Sequence, residues 1–286
     1  MNREWKLIRG SLVYGGRTLV MGVLNVTPDS FSDGGLFLDP RRAVERARVM
    51  VEEGADILDV GGESTRPGGA PVSIEEEIRR VVPVVKALAG VVTVPISVDT
   101  TKAEVARAAL AAGAEIVNDV SALRFDPTLA DEAARAGAGL VLMHSRGTNV
   151  SMHALEPVAD IMREVTASLR RSVTEAERRG VERASLALDP GIGFGKSQEQ
   201  NIELVARLGA LAERFPDFPL LVGTSRKSFI GRLLGGAHIE ERLHGTMATV
   251  VVAVLNGAHI VRVHDVRAAV QTVRVADAIK AVTGKP

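Results

Sequence analysis

The residues best suited to chemistry in this 286-residue chain recur at one kind of place, the end of an apolar run just before a turn. In chain order they are Asn25, Asp59 with Glu63, Asp99, Asn118 with Asp119, His144, Asp189, Ser225-Arg226-Lys227, and Arg262 with His264 and Asp265. Asp99, Asn118 and Asp189, two carboxylates and an amide, suit the edge of a flat heterocycle rich in N–H donors and ring nitrogens. Lys227, Arg262, His264 and Arg66 suit phosphate oxygens. A heterocycle carrying a phosphate leaving group satisfies both sets, as would many nucleotides. One such residue marks only where a buried strand emerges into water. Polar groups at nearly every strand end point together to a site.

The elements that must position these groups are written as an internal repeat. Gly54-Ala55-Asp56-Ile57-Leu58 returns as Gly113-Ala114-Glu115-Ile116-Val117, Gly137-Ala138-Gly139-Leu140-Val141 and Gly257-Ala258-His259-Ile260-Val261. Each time a helical pattern stops at glycine, which suits the left-handed position after a helix, and an apolar strand begins. Strands are predicted at 19–26, 56–61, 94–99, 115–119, 139–143, 185–189, 219–223 and 259–263, with helices between them and after the last. Capping boxes are predicted at Ser73–Glu76, Thr101–Glu104 and Ser197–Gln200, and Asp-Pro helix starts at Asp39-Pro40 and Asp126-Pro127.

Alternating strands and helices imply a parallel sheet. Eight units without a break predict a (β/α)8 TIM barrel in a single domain, 1–286, with an open doubly wound sheet as the alternative. Ahead of the first unit, Lys6 to Tyr14 with Gly15-Gly16 as its turn reads as a β-hairpin plugging the bottom of the barrel.

Composition agrees. Hydrophobic residues make up 46% but aromatics only 3%, so the core is aliphatic, as parallel sheets buried on both faces require. The 35 basic and 35 acidic residues cancel, which removes any whole-surface attraction for nucleic acid or an acidic membrane. With no cysteine, disulfides, thiolate metal sites and cysteine nucleophiles are excluded. No apolar run approaches the roughly 18 residues of a membrane span, so the expected location is the cytoplasm.

The Gly-rich run Asp189-Pro190-Gly191-Ile192-Gly193-Phe194-Gly195-Lys196-Ser197 fits neither the P-loop nor the G-x-G-x-x-G spacing. It reads as a loop open to close ligand approach, with Lys196 solvated. Two further loops are long and rich in turn formers, one from Asn25 to Gly35 and one from Gly61 to Gly69. Long loops at this end of a barrel are usually functional.

At these residues the sequence resembles a known family, the dihydropteroate synthases. The segments that carry the resemblance run from Met21-Gly22-Val23-Leu24-Asn25-Val26-Thr27-Pro28-Asp29-Ser30-Phe31 and Asp59-Val60-Gly61-Gly62-Glu63-Ser64-Thr65-Arg66-Pro67 to Ser97-Val98-Asp99-Thr100 and Asn118-Asp119-Val120. They continue through Asp189 to Lys196, Gly223-Thr224-Ser225-Arg226-Lys227-Ser228-Phe229 and Arg262-Val263-His264-Asp265-Val266. The resemblance implies condensation of 6-hydroxymethyl-7,8-dihydropterin diphosphate with p-aminobenzoate, in a Mg2+-dependent, homodimeric enzyme. It implies that Asp99, Asn118 and Asp189 bind the pterin edge, with Lys227 on the ring. It gives the diphosphate to Arg262 and His264, and Mg2+ to Asn25. Phe31, Thr65, Pro67, Phe194 and Ser228 would line the p-aminobenzoate pocket, with Arg66 nearby.

Met143 either packs on the pterin face or is a core methionine. The segments Ser121 to Phe125 and Met143 to Asn149 depart from the family pattern, and His144, Asp119 and Asp265 read as structural, the last two through loop backbone. His153, His238, His244 and His259 read as surface or capping residues. Three rival functions remain open: a methyltetrahydrofolate-dependent methyltransferase, a Schiff-base aldolase using Lys227, and a non-catalytic pterin-binding paralogue.

Overall fold

The computed structural model describes residues 3–27, 40–63, 72–148, 151–152 and 155–283. Eight parallel strands alternate with helices: β3 (Leu19–Asn25), β4 (Ile57–Gly61), β5 (Ile96–Asp99), β6 (Ile116–Asp119), β7 (Gly139–Met143), β8 (Leu186–Asp189), β9 (Leu221–Val222) and β10 (Ile260–Val263). They pair in chain order from β3 to β8, and β10 joins β3 to β9. A single parallel bridge, Leu188 to Leu220, joins β8 to β9 and closes the ring. The fold is the expected (β/α)8 barrel.

Around the barrel run α1 (Pro40–Glu52), α2 (Ile74–Ala89), α3 (Ala103–Ala112), α4 (Leu129–Ala136), α5 (Ile161–Arg178), α6 (Gln198–Ala206), α7 (Leu208–Arg214), α8 (Ser228–Leu233), α9 (Leu243–Leu255) and α10 (Val266–Thr283). The repeat glycines Gly54, Gly113, Gly137 and Gly257 all have positive φ, as a helix stop requires.

Helix starts were only partly legible. Ser197 and Gln200 form a complete capping box. Ser73 accepts from the Glu76 N–H. Thr101 forms no box: the first N–H of α3, that of Ala103, is taken by Asp126 from another loop at 2.8 Å. Asp126 also accepts the Thr128 N–H at 3.1 Å, the bond an N-cap makes, and α4 proper follows from Leu129 after a tighter turn in which the Leu129 and Ala130 N–H groups bond the Asp126 and Pro127 carbonyls. Pro40 does open α1, while Asp39 lies outside the described residues.

Strand parity sorts the core. Val20, Leu24, Leu58, Val60, Val98 and Val117 face the helices. The opposite parity faces the barrel axis and is apolar at the strand N-termini: Leu19, Met21, Ile57, Ile116, Val141, Ala187, Leu221 and Ile260 pack on Trp5, Leu7 and Tyr14. Those last three belong to the hairpin of β1 (Arg3–Leu7) and β2 (Gly10–Tyr14), which plugs this end as expected. Its turn is at Ile8-Arg9 and not at Gly15-Gly16, since Leu7 pairs with Gly10. Arg9 is held there by Glu115, and the Trp5 indole donates to the Ser185 carbonyl at 2.9 Å. Gly139 makes room for the plug: a Cβ there would lie 2.5 Å from Leu7 and 3.2 Å from Trp5.

Candidate active site

With the lower interior filled by apolar side chains, the same inward parity turns polar at the strand C-termini. β4 brings Asp59, β5 Asp99, β6 Asn118, β8 Asp189 and β10 Arg262. In register, Asp99 stands beside Asn118, and Met143 beside Asp189. Asn118, Met143 and Asp189 are nearly sealed, at 3, 3 and 4% exposure. At the same end of the barrel opens a cavity of about 500 Å³, to which Asn25, Asp99, Phe194, Lys227, Ser228, Arg262 and His264 all contribute. Of the described residues that the sequence assigned to substrate or metal, these seven line the cavity, while Asn118, Met143 and Asp189 are buried and do not line it. Phe31, Thr65, Arg66 and Pro67 lie outside the described residues.

At the centre of the site stands a carboxylate to which the strand-end pattern assigns no ligand, Asp59. Asp59 is fully buried. It accepts from the Arg262 Nε at 2.6 Å and from the Asn118 amide at 3.1 Å, while the Arg262 Nη2 donates to Asp99 at 2.7 Å. Its inward parity on β4, two residues before Gly61, was the available signal. Arg242 and Ile239 also line the cavity, from a helical turn after α8 that carries no strand-end signature.

Electrostatics follow burial. Burial pushes the Asp99 carboxyl up to about 7, against the pull of Arg262 and with the charge of Asp59 adding to the rise. Burial also raises Asp189, although Lys227 opposes it. The Lys227 ammonium is lowered to about 8 by burial, which the charge of Asp189 only partly offsets. It donates to the Ile192 carbonyl and lies 4.4 Å from the centroid of the Phe194 ring. Burial works against the charge on Arg262 too, but Asp59 and Asp99 outweigh it and hold the guanidinium protonated.

The loops around the cavity correct several expectations. Lys196 is not solvated: its ammonium gathers the carbonyls of His144, Gly191 and Phe194 at 3.2, 2.6 and 3.1 Å. The Gly-rich loop is therefore packed on its own chain, and a Cβ at Gly191 would collide with the His144 carbonyl. His144 itself is buried, and desolvation followed by the charge of Lys196 lowers it to about 2, which suits a structural residue. Asp119 holds the turn after β6 by accepting from the Ser121 and Leu123 N–H groups, as expected. Asp265 bonds a side chain, Arg226, where loop backbone was expected. His259 was expected at the surface or in a cap, but it packs edge-on against Tyr14 and accepts the Leu220 N–H at the start of a strand, at 3.0 Å. His153 lies outside the described residues.

For a divalent cation, Asn25 offers one hard oxygen at the cavity, with its Oδ1 facing the bare Cα of Gly61. No group of three or more His, Asp or Glu suited to a metal exists among the described residues. Such a donor fits Mg2+ only where an anionic ligand and water supply the remaining oxygens.

A plugged barrel with two carboxylates and an amide behind a set of cations offers acceptors to a polar heterocycle and donors to an anionic group. Residues 21–264 match the family described as pterin binding enzyme, and the chain belongs to that family. The dihydropteroate synthase of Synechocystis sp. is 49% identical over 266 residues, which cover 93% of this chain and 91% of that protein. The crystal structure of the Clostridium difficile dihydropteroate synthase, determined in the presence of pteroic acid, matches with a TM-score of 0.87 and 46% identity over 93% of this chain and 98% of that one. The Xanthomonas albilineans dihydropteroate synthase with 4-aminobenzoic acid matches with a TM-score of 0.88 and 43% identity, covering 99% of this chain and 100% of that one.

Proposed function

We propose that the protein catalyses the dihydropteroate synthase reaction, in which 6-hydroxymethyl-7,8-dihydropterin diphosphate and p-aminobenzoate give 7,8-dihydropteroate and diphosphate. The observation that carries this reading is the acid–amide wall of Asp99, Asn118 and Asp189 beside Lys227, Arg262 and His264, in a chain so similar to enzymes solved with pteroic acid and 4-aminobenzoic acid.

The carboxylates and the amide take the N–H groups and ring nitrogens of the pterin edge. Lys227, beside Phe194, meets the ring on its open side. Arg262 and His264 receive the diphosphate. The C–O bond to diphosphate breaks with its electron pair on the leaving oxygen, and preorganised cations stabilise that charge where water is excluded. The ring delocalises the charge left on the methylene, and Asp99 stabilises it. The neutral arylamine then forms the C–N bond and loses its proton to solvent, so no strong base is needed. Phe194 and Ser228 form part of the p-aminobenzoate wall, which Phe31, Thr65, Arg66 and Pro67 complete by resemblance. Asn25, together with the diphosphate, would hold Mg2+, which would supply neutralisation of the leaving-group charge.

The protein is proposed to work in the cytoplasm, and no described helix is long and apolar enough to cross a membrane. Exposed Val252, on α9, with Val275 and Ile279 on α10, supports a homodimer through the last helices. A monomeric mass by light scattering at micromolar concentration would reject it.

Incubation with both substrates and Mg2+, followed by mass spectrometry, should reveal 7,8-dihydropteroate. Methyl transfer from methyltetrahydrofolate would favour the methyltransferase reading, for which the Ser225 to Ser228 and Arg262 to His264 set is superfluous. Pterin binding without product would mark a binding protein.

A further inference from the structure

We propose that Arg226 and Asp265 are a positioning pair that sets the spacing between the two cationic loops of the site; the proposal deepens the reaction just described. Two consecutive residues after β9 are joined to two consecutive residues after β10. The Ser225 hydroxyl lies 3.0 Å from the His264 Nδ1 and accepts the His264 N–H at 3.2 Å. One residue on, Arg226 donates to both oxygens of Asp265, at 2.9 and 2.5 Å.

Arg226 adopts a left-handed backbone conformation, φ 58°, which costs an L residue energy and persists only when its surroundings enforce it. They do so from every side. Its N–H is taken by Thr246 at 3.0 Å, its carbonyl by Arg242 at 3.0 Å, and its side chain by Asp265. The reversal at Arg226 sends the next residue, Lys227, toward Ile192 and Phe194, while Ser225 stays on His264. Arg226 and Asp265 therefore fix where the Lys227 ammonium stands relative to the His264 ring. A bidentate guanidinium–carboxylate pair suits this because it fixes angle as well as distance. Although Arg226 lines the cavity, both ends of its fork face Asp265. Two of its three nitrogens, Nε and Nη2, are held by Asp265, and through that bond it positions its neighbours.

The test is a double-mutant cycle with Arg226→Met, Asp265→Ala and the double variant, read by titration of inorganic diphosphate with Mg2+ and by kcat/KM. Each single change should weaken diphosphate binding about tenfold, since small displacements of positioned groups are costly, and the double variant should be no worse than either. Melting temperatures are recorded for all four proteins. Weaker binding in Arg226→Met with unchanged or tighter binding in Asp265→Ala would show Arg226 to be a direct ligand and overturn the proposal. Additive losses, or a lower melting temperature with unchanged diphosphate affinity, would overturn it too. A wild-type protein that binds diphosphate but makes no dihydropteroate would defeat the reaction reading and leave the pair to be judged on binding alone.

Discussion

Arg262 spans two carboxylates, bonding Asp59 through Nε at 2.6 Å and Asp99 through Nη2 at 2.7 Å. Asp59 is fully buried and has no other cation within bonding distance among the described residues. Arg262 is thus both the proposed diphosphate ligand and the counterion of the barrel interior.

Replacing it should damage both roles. Arg262→Met leaves the buried Asp59 without a counterion, and removing one partner of such a pair costs roughly 3 kcal/mol. Urea unfolding should show a loss of that order, and Asp59→Asn in the same background should restore much of it. A loss under about 1 kcal/mol would show that the buried carboxylate does not depend on Arg262 as its counterion.

The pH profile follows from Asp99 and Lys227. Asp99 sits at about 7, so below that pH it binds a proton and stops accepting from the ligand. Lys227 sits at about 8, so above that pH it loses its proton and its charge. For the free enzyme, kcat/KM should rise up to about 7 and fall from about 8. Lys227→Arg stays charged at every working pH and should carry the falling limb upward. An unmoved alkaline limb would remove Lys227 from this role. A lowered lysine also suits a Schiff-base nucleophile, and borohydride trapping with a carbonyl substrate would separate the two.

Lys102 secures the base of the second long loop. Its ammonium joins Glu63 at 2.6 Å, the Val72 carbonyl at 2.8 Å and the buried Glu77. Burial alone would lower its pKa, but the bonds and charges of Glu63 and Glu77 raise it. Lys102→Met strands Glu77, which is 1% exposed, and should cost about 3 kcal/mol in urea unfolding. Adding Glu77→Gln should recover most of that loss. No recovery would place the cost elsewhere.

The sequence carried the barrel because its period is simple. A glycine stop followed by a two-residue alternation recurs, and polar residues at strand ends name the rim. Ends of elements were harder. β9 is only Leu221–Val222, because the strand is completed by a single bridge at Leu220. Asp126 caps α3 from a different loop, so no local pattern announces it. Lys196 looked solvated because its three carbonyl partners meet only when two loops pack together. Asp59 was visible as a strand-end acid, but its bond to Arg262 spans most of the chain.

The plug supplies a control far from the chemistry. Gly139→Val would drive a side chain against Leu7 and Trp5 and should destabilise the fold by roughly 2 kcal/mol. Turnover per folded molecule should be unchanged, because Gly139 stands at the opposite end of β7 from Met143. A fall in kcat at constant folded fraction would show that the plug shapes the site.

The most direct measurement is diphosphate release from dihydropterin diphosphate and Mg2+, with and without p-aminobenzoate, by wild type and Lys227→Ala. Wild type should release diphosphate in step with p-aminobenzoate consumed, and Lys227→Ala should be slower by about a hundredfold or more while remaining folded. Release that ignores p-aminobenzoate, or a Lys227→Ala protein as fast as wild type, would contradict the account.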